Sequence, residues 1–398
     1  MVTVPLKGAV AAPNAGASGR AFIMGSGGFI RRSDDGGQTW ATQTVGEPWR
    51  SWDINFFDDG SGGLNGWMVS QFFRLENSID GGKTWAQRSP PPNMNRTNLR
   101  AVAFASRSDT ENGVIVGDPD PTTDPPGLPK ILWTDFHGFP SWKVPTNVIY
   151  TDGGNGFVGA SLNDVDWADS NNVWAVGEGG LILHSVKDVA QGIEAGDIWN
   201  QYPFPPPTAT PPFYTIQGVS FRDATTGIVV GYRSAASGTA FAYQILGPSL
   251  TCTEIPISDP SVFTLTDVDI SGNTAYAVGD RQVGNVRDGV LLRSTYSGGS
   301  FSSFVVIRSA PEPDMREDGE RHDTILKRVA ILPNGDVFAG GECGRVWQLS
   351  GTTWTEHKSQ TSADIQGMSF PLSTVGYVLG KRADLSATSH CLTKYQVP

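Results

Sequence analysis

Four acidic residues stand in one recurring local setting. Asp118, Glu178, Asp280 and Glu342 each follow the glycine that ends a short apolar stretch, in GVIVGD, VWAVGE, AYAVGD and VFAGGE. Carboxylates gathered on one rim attract a cation or a basic peptide. Two of them, about 5–10 Å apart and with divergent pKa values, could also hydrolyse a glycoside. In four further copies the same place holds Ser26, Gln71, Tyr232 and Lys381. A second charged group is the segment 310–323, APEPDMREDGERHD, where Arg316, Arg321 and His322 stand among acids. It reads as a solvated, partner-ordering loop. His137, His184, His357 and His390 show no i, i+4 ligand spacing, and no phosphate loop, nucleophile elbow, C-x-x-C or H-E-x-x-H occurs. No catalytic residue, metal or cofactor is expected.

A repeat positions these residues. The apolar stretch returns about every 30–60 residues, and its fifth place is Gly25, Ser70, Gly117, Gly177, Gly231, Gly279, Gly341 and Gly380. A second element precedes it, as in LRAVAF, LNDVDW, IQGVSF, LTDVDI and IQGMSF. A third follows, as in GFIRRS, GLILHS and GVLLRS, and a fourth often opens on an aromatic, as in WATQTV, WAQRS and WKVPT. Runs rich in Val, Ile, Phe and Trp, bounded by Gly, Asn or Asp, are short strands. Four strands per unit, repeated along the chain, predict an all-β fold: a single β-propeller of four-stranded antiparallel blades, eight favoured over seven.

The predicted units lie near 6–45, 49–92, 98–147, 162–204, 214–257, 264–310, 325–358 and 364–396, within one domain over 1–398. One meander cannot bury two apolar faces alone, so units stack and the array closes. Val2–Pro5 is expected to pair with the last unit, latching the N- and C-terminal strands together. The glycine column suits a crowded place where backbones approach closely.

Composition agrees. Among 398 residues, 48 Gly and 27 Pro oppose long helices. No apolar run approaches the roughly 18 residues of a membrane span. A net charge of −11, without a Lys/Arg block, disfavours nucleic acid and anionic membranes as partners. Cys252, Cys343 and Cys391 are too few for a disulfide framework. The start, MVTVPLKGAV, shows no export signal. The chain is therefore read as intracellular, or as a mature lumenal, periplasmic or secreted form, with the compartment left open.

Two units carry a sharper motif. Ser33–Trp40 and Ser78–Trp85 both fit S-x-D-x-G-x-T-W, through Ser33, Asp35, Gly37 and Trp40 and through Ser78, Asp80, Gly82 and Trp85. A carboxylate that accepts backbone N–H groups and a glycine with free dihedrals make a turn, so the motif is read as structural. A weaker copy, Ser294–Phe301, has Tyr296 in the Asp place. This Asp-box resembles that of BNR-repeat propellers. Together with VWAVGEGGLILHS, the chain is similar to the Ycf48/HCF136-like photosystem II assembly/stability factors. The resemblance implies a non-enzymatic, lumenal or periplasmic assembly factor that holds a partner protein. The family pattern has seven blades and a basic surface patch, and this chain departs from both. Sialidases share the Asp-box, but their Arg-Ile-Pro motif does not occur here.

Strand order sorts the loops by face. The long connections 118–129, 203–213, 232–238, 280–289 and 310–323 share the upper face with the rim residues, whereas 187–197 and the Asp-boxes lie below. Long loops in compact domains carry function, so the upper face is the candidate binding face. The reading is a non-enzymatic protein-binding or assembly scaffold using Asp118, Glu178, Tyr232, Asp280, Glu342, Lys381, Arg316, Arg321 and His322. The alternative is a carbohydrate-active propeller, hydrolase or lectin, using the rim carboxylates with Trp52, Tyr232 and Trp133, and a glycan as partner.

Overall fold

A computed structural model describes residues 6–11, 21–25, 29–33, 41–44, 51–58, 64–80, 83–89, 91, 97–105, 112–119, 127–135, 142–150, 159–202, 204, 213–234, 239–247, 251–284, 286–309, 325–331, 335–341, 345–358, 364–372, 375–381 and 392–396. Side chains are described within 53–355. No α-helix occurs among the described residues, and the strands form eight sheets. Adjacent strands along the chain pair antiparallel, as expected for successive hairpins.

The chain divides into two compact units. One comprises 52–77 and 86–255 and holds the second to fifth sheets; the other comprises 1–51, 78–85 and 256–398 and holds the first, sixth, seventh and eighth.

Where side chains are described, the second strand of a sheet is buried on both faces. In Asn172–Gly177 of the fourth sheet, Val173, Trp174, Ala175 and Val176 are all fully buried. The period-two alternation of a strand sends Val173 and Ala175 toward Val114, Val116 and Trp133 of the third sheet. Trp174 and Val176 pack instead with Ile216, Val219, Val229 and Phe241 of the fifth. A continuous apolar run is what a strand buried on both faces requires. The core thus lies between successive sheets.

The glycine that ends this strand has a steric cause. At Gly117, Gly177 and Gly279 a Cβ would lie against the carbonyl oxygen of Asn98, Ser161 and Thr264, respectively, and 2.9 Å from the next Cα. The crowding comes from a bulge in the first strand directly after the residue opposite the glycine. Register shifts fall between Leu162 and Asp164, Ile216 and Gly218, Leu265 and Asp267, and Leu326 and Arg328. Each bulge inserts one extra residue: Asn163, Gln217, Thr266 and Lys327.

The first strands are sheet edges, and side chains from the preceding sheet satisfy their outer N–H groups. Asp164 and Asp166 accept Val219 N and Phe221 N, both at 3.0 Å. Asp267 and Asp269 accept Val329 N at 3.0 Å and Ile331 N at 2.8 Å. Asp53 accepts Val102 N at 2.9 Å. The second oxygen of Asp164, Asp166, Asp267 and Asp269 takes the N–H of the following residue in its own strand. A carboxylate placed this way covers donors that would otherwise be orphaned at a buried edge.

Two elements differ from the expected units. The third sheet has three strands, and its expected fourth is reduced to one bridge between Trp133 and Lys143. Asn147–Ile149 instead joins the fourth sheet as a fifth, parallel strand beside Ile198–Gln201. Asp197 holds it there, accepting Thr146 N at 3.0 Å and Thr146 Oγ1 at 2.6 Å. Val2–Pro5, the expected closing strand, lies outside the described residues. Leu6–Ala11 pairs with Ala21–Gly25 in the first sheet and runs beside Asp364–Leu372 and Val375–Lys381 of the eighth.

Candidate functional site

In the unit holding the second to fifth sheets, Asp118, Glu178 and Tyr232 each follow the terminal glycine of a second strand. Asp118 is held on three sides. Its backbone N–H donates to Asn98 O at 2.8 Å, its carboxylate accepts Asn98 Nδ2 at 2.7 Å, and Arg100 Nε forms an ion pair with it. Arg100 then donates to Asn163 Oδ1 at 2.8 Å, and Asn163 Nδ2 donates to Ile216 O at 2.8 Å. One polar chain, Asp118–Arg100–Asn163–Ile216, therefore crosses the first strands of the third, fourth and fifth sheets.

Glu178 is tied to the start of its own sheet. Its N–H donates to Ser161 O at 2.9 Å, and its carboxylate accepts Ser161 N at 3.1 Å. Its backbone also bridges Thr215 of the fifth sheet. Tyr232 is half-buried opposite Thr215 and Ala240. Arg233, the next residue, ion-pairs with Glu254 at 2.6 Å, donates to Tyr243 Oη at 3.3 Å and lies over the Tyr214 ring at 5.6 Å. Burial, helped by the nearby Glu254 charge, pushes the Tyr243 phenol up to about 12.

In the other unit, Asp280 is fully buried rather than on an open rim. Arg287 Nε pairs with it at 2.8 Å and Thr264 Oγ1 donates to it. Arg287 in turn lies 4.2 Å over the Phe263 ring. The adjacent Arg281 reaches Asp259 at 3.4 Å and Asp288 at 3.7 Å. Lys381 ends the strand Val375–Lys381 opposite Asp364. Glu342, Arg316, Arg321 and His322 lie outside the described residues. Asp118, Glu178 and Asp280 are thus each engaged as hydrogen-bond acceptors or ion-pair partners. Trp133, expected as a sugar platform, is 5% exposed and packed in the core, with Lys143 Nζ 4.5 Å from its ring. Trp52 is described only as part of its strand.

The second Asp-box is a saturated turn. Asp80 accepts Ser78 Oγ at 2.8 Å, Lys83 N at 2.9 Å, Thr84 N at 3.0 Å and Thr84 Oγ1 at 2.7 Å. Burial opposes ionisation of Asp80, but the bonds from Thr84, Ser78 and Lys83 outweigh it and hold the pKa below the ordinary aspartate value. Trp85 is half-buried beside it, and Gly82 lies outside the described residues. Of the first box, Ser33 ends the strand Phe29–Ser33, while Asp35, Gly37 and Trp40 lie outside the described residues. In the weak copy, Tyr296 packs edge-on against Phe301 at 5.0 Å, an apolar contact where the other boxes have an aspartate. Among the described residues, no group of three or more His, Cys, Asp or Glu is arranged to hold a metal ion.

Sequence reasoning missed Arg100 and Asn163, whose bulge positions carry the polar chain, and the inter-sheet aspartates. The available signal was the repeated Asp-Val-Asp of Asp164–Asp166 and Asp267–Asp269 inside otherwise apolar strands.

No protein-family model and no curated protein sequence matches the chain. Solved structures do. YCF48 bound to a D1 peptide is 16% identical, with a TM-score of 0.54 over 89% of this chain and 97% of that one. The Dos1 propeller is 10% identical, with a TM-score of 0.63 over 99% of this chain and 92% of that one. An ancestral GH74 enzyme is 11% identical, with a TM-score of 0.50, covering 98% of this chain and 60% of the other. The chain has an all-β, Ycf48-like β-propeller fold.

Proposed function

We propose that this propeller is a non-enzymatic scaffold that holds a partner protein through the face formed by the ends of its second strands. The observation that carries the reading is the locked state of Asp118, tied to Asn98 and to Arg100, which Asn163 braces from the next sheet. Carboxylates so restrained suit recognition, because their geometry is set before a partner arrives. The structure of YCF48 with a D1 peptide supports the reading by fold likeness: a propeller of this kind takes a protein segment. We also take residues 1–398 as one propeller domain of eight blades latched by Val2–Pro5, with Glu342, Lys381, Arg316, Arg321 and His322 contributing to the same face. The likeness to the Dos1 propeller over 99% of the chain supports the single domain. Limited proteolysis leaving one resistant core near 42.5 kDa checks it.

The test of function is photocrosslinking in the native host. Benzoylphenylalanine at Tyr232 should give one discrete protein adduct, and the same probe at Val189, 79% exposed in the 187–197 loop, should give none. Equal adducts at both sites, or none at Tyr232, would count against the scaffold. The carbohydrate-active alternative draws on the GH74 likeness, which is one of fold. It requires sugar release that disappears in Glu178→Gln.

A further inference from the structure

The last strands of three sheets align residue by residue. Three places before the glycine that ends the second strand stand Trp174, Ile228 and Tyr276, in the fourth, fifth and sixth sheets. They pair with His184, Gln244 and Arg293. These pair in turn with Asn200, Thr253 and Val305 on the last strands. The residues just before them, Trp199, Cys252 and Phe304, are therefore equivalent. Two of the three carry an added segment that runs parallel to the strand. Val148 pairs with Trp199, and Ile257 with Phe304. At the sixth sheet Phe304 N donates to Pro256 O at 2.8 Å, and Ser258 N donates to Phe304 O at 2.9 Å. Trp199 and Phe304 are both fully buried.

Among the described residues the fifth sheet has no such addition, and Thr251–Glu254 is its outermost strand. Cys252 is only partly buried. Ile255 N donates inward to Ala242 O at 2.9 Å, so the alternation of an antiparallel ladder turns the N–H and C=O of Cys252 and Glu254 outward. The cause is written in the sequence. Ile255-Pro256-Ile257-Ser258 aligns with Tyr202-Pro203-Phe204-Pro205, because Tyr202 N bonds Ile182 O as Ile255 N bonds Ala242 O. Where Ser258 gives an N–H to the sixth sheet, proline at 205 has none to give. The Phe204 ring is held instead by Tyr214, Phe241 and Tyr243, at 5.0, 5.7 and 4.9 Å between centroids.

We infer that the outer edge of Thr251–Glu254 is a strand-acceptor site, which takes an extended segment of a partner protein in parallel pairing, with Val or Ile opposite Cys252. The form of the occupant is read from Asn147–Ile149 and from residues 256–258, which fill the equivalent edges of the fourth and sixth sheets. An edge with outward N–H and C=O groups is a template for another chain. In such an addition the main-chain bonds give affinity and alternate side chains give selectivity. The site is the edge of one sheet and not the face formed by the ends of the second strands. It therefore goes beyond the scaffold reading and stands or falls apart from it.

The test titrates a fluorescent peptide of residues 144–150, VPTNVIY, with the full chain under reducing conditions and reads anisotropy. The peptide should bind. N-methylation of its Ile149, the equivalent of the Ser258 donor, should weaken it about five- to tenfold. Cys252→Pro should weaken it at least as much, because it removes the outward N–H at a place where an edge strand tolerates proline. Cys252→Val keeps that N–H and should bind within about twofold of the original. If Cys252→Pro does not fold, the N-methylated peptide decides alone. No binding, or binding indifferent to N-methylation, overturns the acceptor site and leaves the scaffold reading to its own test at Tyr232. Binding unchanged in a folded Cys252→Pro overturns the assignment to the fifth sheet. Dimers of the chain that the peptide dissolves make a second copy the occupant and overturn the partner protein.

Discussion

Asp269 of the sixth sheet accepts the backbone N–H of Ile331 in the seventh at 2.8 Å, and its other oxygen takes Ile270 N at 2.8 Å. The bond joins two edges that have no ladder partner on that side. It also places a carboxylate among apolar strands. Burial, with some help from the Asp267 charge and against its two backbone bonds, pushes Asp269 up to about 6. Asp267, facing Arg328, is raised as well by its burial.

That shift gives stability a pH dependence of known sign. Unfolded, Asp269 titrates near 4, so between about pH 4 and 6 the native state binds more protons than the unfolded one. Its contribution is complete below about pH 4 and is lost as pH rises through about 6, on the order of 1–3 kcal/mol. Urea midpoints measured from pH 4 to 7 should show the fall. Asp269→Asn should flatten it over that window, whatever the variant's absolute stability; an unchanged slope would exclude Asp269 as its source.

Gly177→Ala should be costly although the change is one methyl group. The new Cβ would press on the Ser161 carbonyl and come within 2.9 Å of Leu162 Cα, both backbone atoms that cannot swing aside. Overpacking of this kind costs about 1–3 kcal/mol, read as a lower denaturant midpoint. Gly231→Ala, against the Thr215 carbonyl, should behave alike.

Arg287→Ala should strand the fully buried Asp280 with Thr264 as its remaining described donor. Breaking a buried pair by removing one partner costs about 3–5 kcal/mol. The double variant Asp280→Asn/Arg287→Met should recover much of that loss in the same unfolding assay. Recovery is the decisive readout, because it separates a stranded charge from lost packing on Phe263.

Asp80→Ala removes the acceptor of four hydrogen bonds in the Asp-box turn. The turn should lose about 1–2 kcal/mol by thermal or chemical unfolding. A chelator should leave the melting temperature of the unsubstituted protein unchanged, because the carboxylate is saturated by protein donors. A melting temperature restored by added calcium would contradict the structural role.

The strand pattern and the glycine column were legible because each is a local rule repeated many times. Gly177 marks a strand end wherever the same bulge brings a carbonyl close, so one physical constraint writes one letter per unit. Asp164 and Asp267 were harder to read, since their partners Val219 and Val329 belong to the following unit and nothing in a single strand names them. Trp133 misled for a related reason: an aromatic beside a loop looks the same in sequence whether it faces solvent or a neighbouring sheet. Asn147–Ile149, at the end of the expected unit 98–147, was not legible as a strand of the fourth sheet because its attachment depends on Asp197, about fifty residues later.

Among the described residues, aspartates bridge three pairs of neighbouring sheets. Asp53 links the second sheet to the third, Asp164 and Asp166 the fourth to the fifth, and Asp267 and Asp269 the sixth to the seventh. Between the third and fourth the bond is of another kind, from Trp167 Nε1 to Ala103 O. Each aspartate bond fastens two neighbouring sheets without a strand ladder between them, so the amides of Val102, Val219 and Val329 should exchange slowly for edge-strand positions.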